Sequence, residues 1–133
     1  MRPSYKVLIH EKVKQQLRDF VTSQQKSEQD SIVKQIKTAL EKLKNDPLGP
    51  SNSLFQESRY PRLCGKIRKI HVGGRERFRL INLCISEKET VLPIYISEVR
   101  RSDFDYNKVP WQSIAEEIYK DLIDGNKDKF CTI

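Results

Sequence analysis

Cysteine and histidine are scarce in this sequence, and their scarcity excludes several kinds of site. The chain has three cysteines and two histidines among 133 residues. The cysteines are an odd number at wide spacing, form no CxxC pair and match no zinc-binding pattern. Cys84 lies in an apolar run and is predicted to be a core residue, since a catalytic thiol needs a base beside it. We therefore expect no metal and no cofactor.

Long apolar runs are absent as well. No stretch approaches the length of a membrane span, and the segment from Met1 to Ile9 is too short and too polar for a signal peptide. The sequence thus predicts a cytoplasmic protein without a membrane partner. Its length is that of one compact domain, residues 1–133, with one modest core.

Positive charge is abundant and is concentrated in one short segment. The net charge of the chain is +7, and the segment from Arg59 to Arg79 alone carries eight basic residues and one acidic residue. Such a cluster is typical of a surface that attracts phosphate groups. The alternatives are a solvated basic face or a patch for an acidic partner protein.

The spacing of apolar residues predicts the order strand, helix, helix, three strands, helix. The predicted strands are residues 5–9, 66–72, 77–86 and 90–96, and the helices lie at residues 13–21, 30–44 and 110–124. Pro93 interrupts the last strand and indicates a bulge or an edge position. Residues 48–61 and the segment after Gly125 are predicted to be a loop and a charged tail.

This order predicts an α+β fold. Its antiparallel sheet includes the N-terminal strand, and the helical hairpin packs on one face, with a further helix at the C-terminus. We expect the other face to stay open and to carry the basic residues.

Three segments carry a resemblance to a known family. Residues 63–74 have the sequence LCGKIRKIHVGG, residues 77–81 have RFRLI, and residues 95–106 have YISEVRRSDFDY. With the order of elements, they resemble the RelE/ParE toxin superfamily from about Tyr5 to Tyr106. The last helix is longer than the tail common in these toxins, which divides the domain into a core of residues 4–106 and an extension of residues 107–133.

The resemblance implies a toxin of a type II toxin-antitoxin system. Such a toxin cleaves mRNA without a metal, usually in the ribosomal A site, and a cognate antitoxin controls it, so mRNA, the ribosome and an antitoxin are the expected partners. The family positions assign Arg79 to the phosphate, Arg100 to the phosphate or the leaving group, and Tyr106 to the nucleotide. The alternatives are a ParE-like toxin that inhibits DNA gyrase and a non-catalytic relative that binds RNA or protein. The oligomeric state stays open.

Strand alternation sorts the basic residues that precede Arg79. Lys69 and His71 share one face of the strand, whereas Arg68 has the parity of the core-facing residues. Lys69 and His71 are therefore the preferred active-face residues. Lys69, His71 and Tyr106 are candidates for acid-base catalysis, between which the sequence does not choose. The predicted RNA contacts are Lys66, Arg68, Arg77 and Arg101.

Overall fold

The computed structural model of the protein describes residues 5–49, 52–54, 63, 65–73, 78–98 and 111–132. Within these ranges the strands and α-helices are β1 Lys6–His10, α1 Glu11–Thr22, α2 Gln29–Asn45, β2 Asn52–Leu54, β3 Ile67–Val72, β4 Phe78–Ile85, β5 Thr90–Glu98, α3 Trp111–Ile123 and β6 Phe130–Thr132. Short 3₁₀ turns follow β4 and α3, at Ser86–Lys88 and Lys127–Lys129. In this part of the chain, no helix has both the length and the apolar character needed to span a bilayer.

The strands form one sheet in the order β2-β3-β4-β5-β1-β6. Neighbouring strands are antiparallel, except that β1 runs parallel to β5. The predicted α+β class and the predicted sequence of main elements are confirmed. β1 is the exception to the predicted antiparallel sheet, because two helices and the strands β2, β3 and β4 separate it from β5. A long connection of this kind permits parallel pairing, which a tight turn does not.

The helical hairpin covers one face of the sheet. α1 begins after His10, whose Nδ1 accepts a hydrogen bond from the backbone N–H of Lys12 at 3.1 Å. α2 ends at Asn45, just before the proline-containing segment, as predicted. Phe20 of α1 packs edge-to-face on Phe78 of β4, with ring centroids 5.0 Å apart. The side chains on the Phe78 side of the sheet therefore face the hairpin.

α3 covers part of the opposite face. Because side chains alternate along a strand, Leu83 and Ile85 of β4 and Leu92 of β5 point away from the hairpin, yet all three are fully buried. α3 packs against β5 and buries Ala115 and Ile118. The expectation that this face stays open is therefore wrong for its apolar half, because exposed aliphatic side chains there would forfeit the free energy of burial.

Two short strands occupy positions predicted to be a loop and a tail. β2 pairs with β3, and β6 pairs with β1. Three residues are too few to show a period of two, so the sequence gives no signal for either strand. The bulge indicated by Pro93 is confirmed, because Ile81 pairs with Tyr95 while Asn82 pairs with Pro93.

Candidate functional site

Three of the predicted site residues lie together on one face of the sheet. His71 of β3 is directly opposite Arg79 of β4, and Lys69 is opposite Ile81, one step further along. Directly opposite residues have Cβ atoms about 5 Å apart, and diagonal neighbours lie about 7–8 Å apart. All three side chains are half-buried. Three residues of the positively charged segment from Arg59 to Arg79 thus lie at adjacent positions of the sheet. We call this surface, formed by Lys69, His71 and Arg79, the basic face.

Electrostatics at the basic face follow from this closeness. Burial lowers the pKa of Lys69, and the positive charge of Arg79 lowers it further. The Nδ1 atom of His71 and the Nε atom of Arg79 are also buried. A lysine of lowered pKa exchanges its proton more readily near neutrality, while an arginine stays charged and fits the oxygens of a phosphate group. The face can therefore combine anion binding with proton transfer.

A cleft of about 810 Å³ lies beside the second half of β5, next to the basic face. Tyr95 and Ser97 line it from β5, and Ser97 is the residue opposite Arg79. On the α1 side, the amide of Gln16 donates to the carbonyl of Ile96 at 2.9 Å and accepts from its N–H at 3.0 Å. These two bonds from the Gln16 side chain replace the backbone hydrogen bonds that a neighbouring strand would make with Ile96. The sequence did not indicate the cleft, because Gln16 and Ile96 are distant in the chain.

Arg68 lies on the other side of β3, as its parity predicted. Its Nη1 donates to the backbone carbonyl of Asn52 at 2.8 Å. Asn52 and Asn82 exchange two amide hydrogen bonds, both of 3.0 Å, in the buried layer beneath it. Arg68 is therefore separated by the sheet from Lys69 and His71.

The remaining predicted contacts divide into two groups. Lys66 immediately precedes β3 and has a half-buried side chain, while its backbone carbonyl accepts a hydrogen bond from the N–H of Cys84 at 2.8 Å. The other predicted residues lie outside the described residues, namely Arg77, Arg100, Arg101 and Tyr106.

Cys84 is a core residue, as predicted. Only 5% of it is exposed, and burial raises the pKa of its thiol to about 11, against the opposing effects of Arg68 and Asn52. A thiol of that pKa is protonated at neutral pH and is a poor nucleophile. The described part of the chain also contains no group of three or more His, Cys, Asp or Glu side chains placed to hold a metal ion.

His10 has a structural role that sequence reasoning missed. It is almost fully buried, and its Nε2 lies 2.8 Å from Oδ2 of Asp121 in α3. Because Nδ1 accepts the hydrogen bond from Lys12, Nε2 carries the proton and donates to Asp121. This bond is the largest cause of the lowered pKa of Asp121. His10 thus joins β1 to α3 across most of the chain.

No protein-family model matches the chain, and no curated protein matches it. A double arginine-to-alanine mutant of the E. coli toxin RelE in the free state is similar in structure, with a TM-score of 0.48 and 18% identity over 89% of this chain and 97% of that chain. The isolated E. coli RelE toxin gives a TM-score of 0.47 and 19% identity over 90% and 99%.

Proposed function

We propose that the protein is the toxin of a type II toxin-antitoxin system and that it cleaves mRNA in the ribosomal A site without a metal ion. The observation that carries the proposal is the basic face, where Lys69, His71 and Arg79 occupy adjacent positions, and where burial and then the charge of Arg79 lower the pKa of Lys69. The motifs of residues 63–74, 77–81 and 95–106 support the family assignment.

In the proposed reaction the ribose 2′-oxygen attacks the adjacent phosphorus. An O2′–P bond forms, the P–O5′ bond breaks, and negative charge grows on the non-bridging oxygens. Arg79 stabilises that charge, because a fixed cation acts most strongly where charge develops in the transition state. Lys69 or His71 removes the 2′-proton, and the other positions a proton for the departing 5′-oxygen.

Residues beyond the basic face complete the proposed site. Arg100 neutralises the phosphate or the leaving group, and Tyr106 holds the nucleotide by stacking or through its hydroxyl. The flanking cations bind the RNA backbone through charge alone, which makes their contribution dependent on salt. These cations are Lys66, Arg77 and Arg101. Arg68, which was also predicted to contact RNA, is not among them, because it lies on the other face of the sheet and donates to the carbonyl of Asn52.

The proposal is tested by primer extension on mRNA that is being translated in a purified system. Discrete cuts within codons are expected, and Arg79→Ala should slow them about 100- to 1,000-fold. Arg18→Ala is the matched control, because Arg18 is an exposed arginine of α1 on the far side of the sheet. Equal cleavage by Arg79→Ala and the control contradicts the assignment. Inhibition of DNA gyrase without any cut in the mRNA supports the ParE-like alternative instead.

A second substitution separates charge from proton transfer at Lys69. Lys69→Arg keeps the positive charge but stays protonated at neutral pH. If Lys69 transfers a proton, the variant binds ribosomes normally and cleaves slowly. Normal cleavage by Lys69→Arg excludes Lys69 from proton transfer and leaves His71 and Tyr106 as the candidates.

We also propose that a cognate antitoxin docks on the helical hairpin. Between α1 and α2 lies an open groove of about 350 Å³, whose apolar walls include Leu17, Val21 and Val33. Lys14 and Lys37 stand beside these apolar residues. An amphipathic helix with acidic flanks fits such a groove. Leu17→Asp should therefore abolish co-purification of an antitoxin co-expressed from the neighbouring reading frame, while Lys34→Ala on the exposed face of α2 should leave it intact.

A further inference from the structure

A second cleft lies beneath the C-terminal helix, well away from the basic face. It has a volume of about 510 Å³, within the range of small-molecule sites, and its walls come from β1, the start of β5, the end of α3 and β6. Thr90 at this cleft is seven residues before Ser97, the residue opposite Arg79. Seven residues of strand span about 23 Å, so one ligand the size of a nucleotide cannot occupy both places.

The lining of the cleft divides by exposure. Lys6, Lys88 and Lys127 are exposed and form its rim, whereas Thr90 and Asp121 are buried at its inner wall. The half-buried side chains of Leu8, Leu122 and Phe130 supply apolar surface between them. The cleft thus offers cations outside, an apolar middle and hydrogen-bonding groups inside.

The rim cations keep their charge available to a ligand, because the one carboxylate among the lining residues is already compensated. Oδ2 of Asp121 accepts the hydrogen bond from His10 at 2.8 Å, and Oδ1 accepts one from Nδ2 of Asn126 at 3.1 Å. The ammonium of Lys129 lies 3.7 Å from the same Oδ1. Among the lining residues the uncompensated charge is therefore positive and suits a phosphate group, which lysines bind as point charges.

We propose that this cleft binds a nucleoside monophosphate. The phosphate lies among Lys6, Lys88 and Lys127, and the base lies against Leu122 and Phe130, because a base presents a flat apolar face to such walls. The polar edge of the base meets the inner wall, where Thr90 and Asp121 retain acceptor capacity. Nothing in this assignment depends on RNA cleavage at the basic face.

The experiment is calorimetric titration of the full chain with adenosine 5′-monophosphate and, separately, with adenosine. Saturable binding of the monophosphate is expected, with adenosine weaker by about tenfold, since only the monophosphate engages the rim. The double variant Lys88→Gln/Lys127→Gln should reduce the affinity for the monophosphate to that for adenosine. These lysines are exposed, so the fold should be unaffected.

Controls make each outcome decisive. Lys34→Gln/Lys42→Gln removes two exposed lysines from α2, on the far side of the sheet, and should leave binding unchanged. Absence of saturable binding overturns the proposal, as does an equal loss in the two double variants. Loss of binding in Arg79→Ala places the nucleotide on the basic face and also overturns it. A protein that binds the monophosphate through this cleft but cleaves no mRNA leaves the inference standing and refutes only the proposed nuclease.

Discussion

Replacing Ile118 with alanine tests whether α3 belongs to the core. Ile118 is fully buried, in a helix that packs against β5. Truncating a buried isoleucine to alanine costs about 2–5 kcal/mol through lost transfer free energy and a residual cavity. Alanine is the better helix former and returns about 0.4 kcal/mol. We therefore expect the free energy of unfolding to fall by about 3 kcal/mol.

Urea denaturation followed by far-UV circular dichroism measures this change. The urea concentration at the midpoint should fall, while the slope of the unfolding free energy against urea stays the same, because the surface exposed on unfolding is nearly unaltered. In a thermal scan the loss corresponds to about 12 °C in Tm for a chain of this length. Ile123→Ala is the matched control at the end of the same helix, where the side chain is 48% exposed, and it should change stability by about 0.5 kcal/mol or less.

Equal stability of the two variants would refute the reasoning. It would mean that α3 is not held on the sheet and acts as a lid or as a surface for a partner. The same logic applies to a chain truncated before Pro110. That truncation removes α3, β6 and Asp121 together, so we expect it to aggregate, whereas a soluble truncation of raised activity would favour the lid.

Three further outcomes are expected. The pKa of Asp121 in the folded protein lies below the unfolded value of 3.8. The ionised carboxylate therefore stabilises the fold fully at a pH well above 3.8, and this contribution is lost as the pH falls through the folded pKa. The difference in Tm between wild type and Asp121→Asn should close on acidification, and a constant difference would contradict this. Gly73→Ala should destabilise the protein by about 1–3 kcal/mol in urea, because Gly73 has φ +89°, a backbone conformation that is strained for a residue with a Cβ atom. At pH 8, iodoacetamide should modify exposed Cys131 but not Cys84, as mapped by peptide mass spectrometry, and rapid labelling of Cys84 in the folded protein would dispute its burial.

Local patterns predicted the parts of the fold that depend on neighbouring residues. The apolar spacing of α1 and α2, the proline after α2 and the proline within β5 each act over a few residues, so the sequence indicates them directly. The common face of His71 and Arg79 follows from the same source, because alternation along β3 and β4 determines which side chains share a face.

Long-range pairing explains what the sequence could not predict. The partner of His10 is 111 positions away, and no local pattern marks either residue as half of a buried pair. The same holds for β6, whose three residues become a strand only because β1 offers them a free edge. The position of the helix that covers the second face of the sheet could not be predicted either. An amphipathic pattern shows that a helix buries one face, but it does not show against which element the helix packs.

The parallel pairing of β1 with β5 has a consequence for the order of events during synthesis. β1 leaves the ribosome well before both of its partner strands, since β5 begins only at Thr90 and β6 only at Phe130. Until those strands have been made, β1 can pack only against the helices α1 and α2, and both of its edges are open to pairing with strands of other chains. Contacts so distant in sequence slow folding and expose newly made protein to aggregation. A partner that binds the hairpin as soon as it emerges would shorten that interval, so co-translational capture and folding yield should rise together.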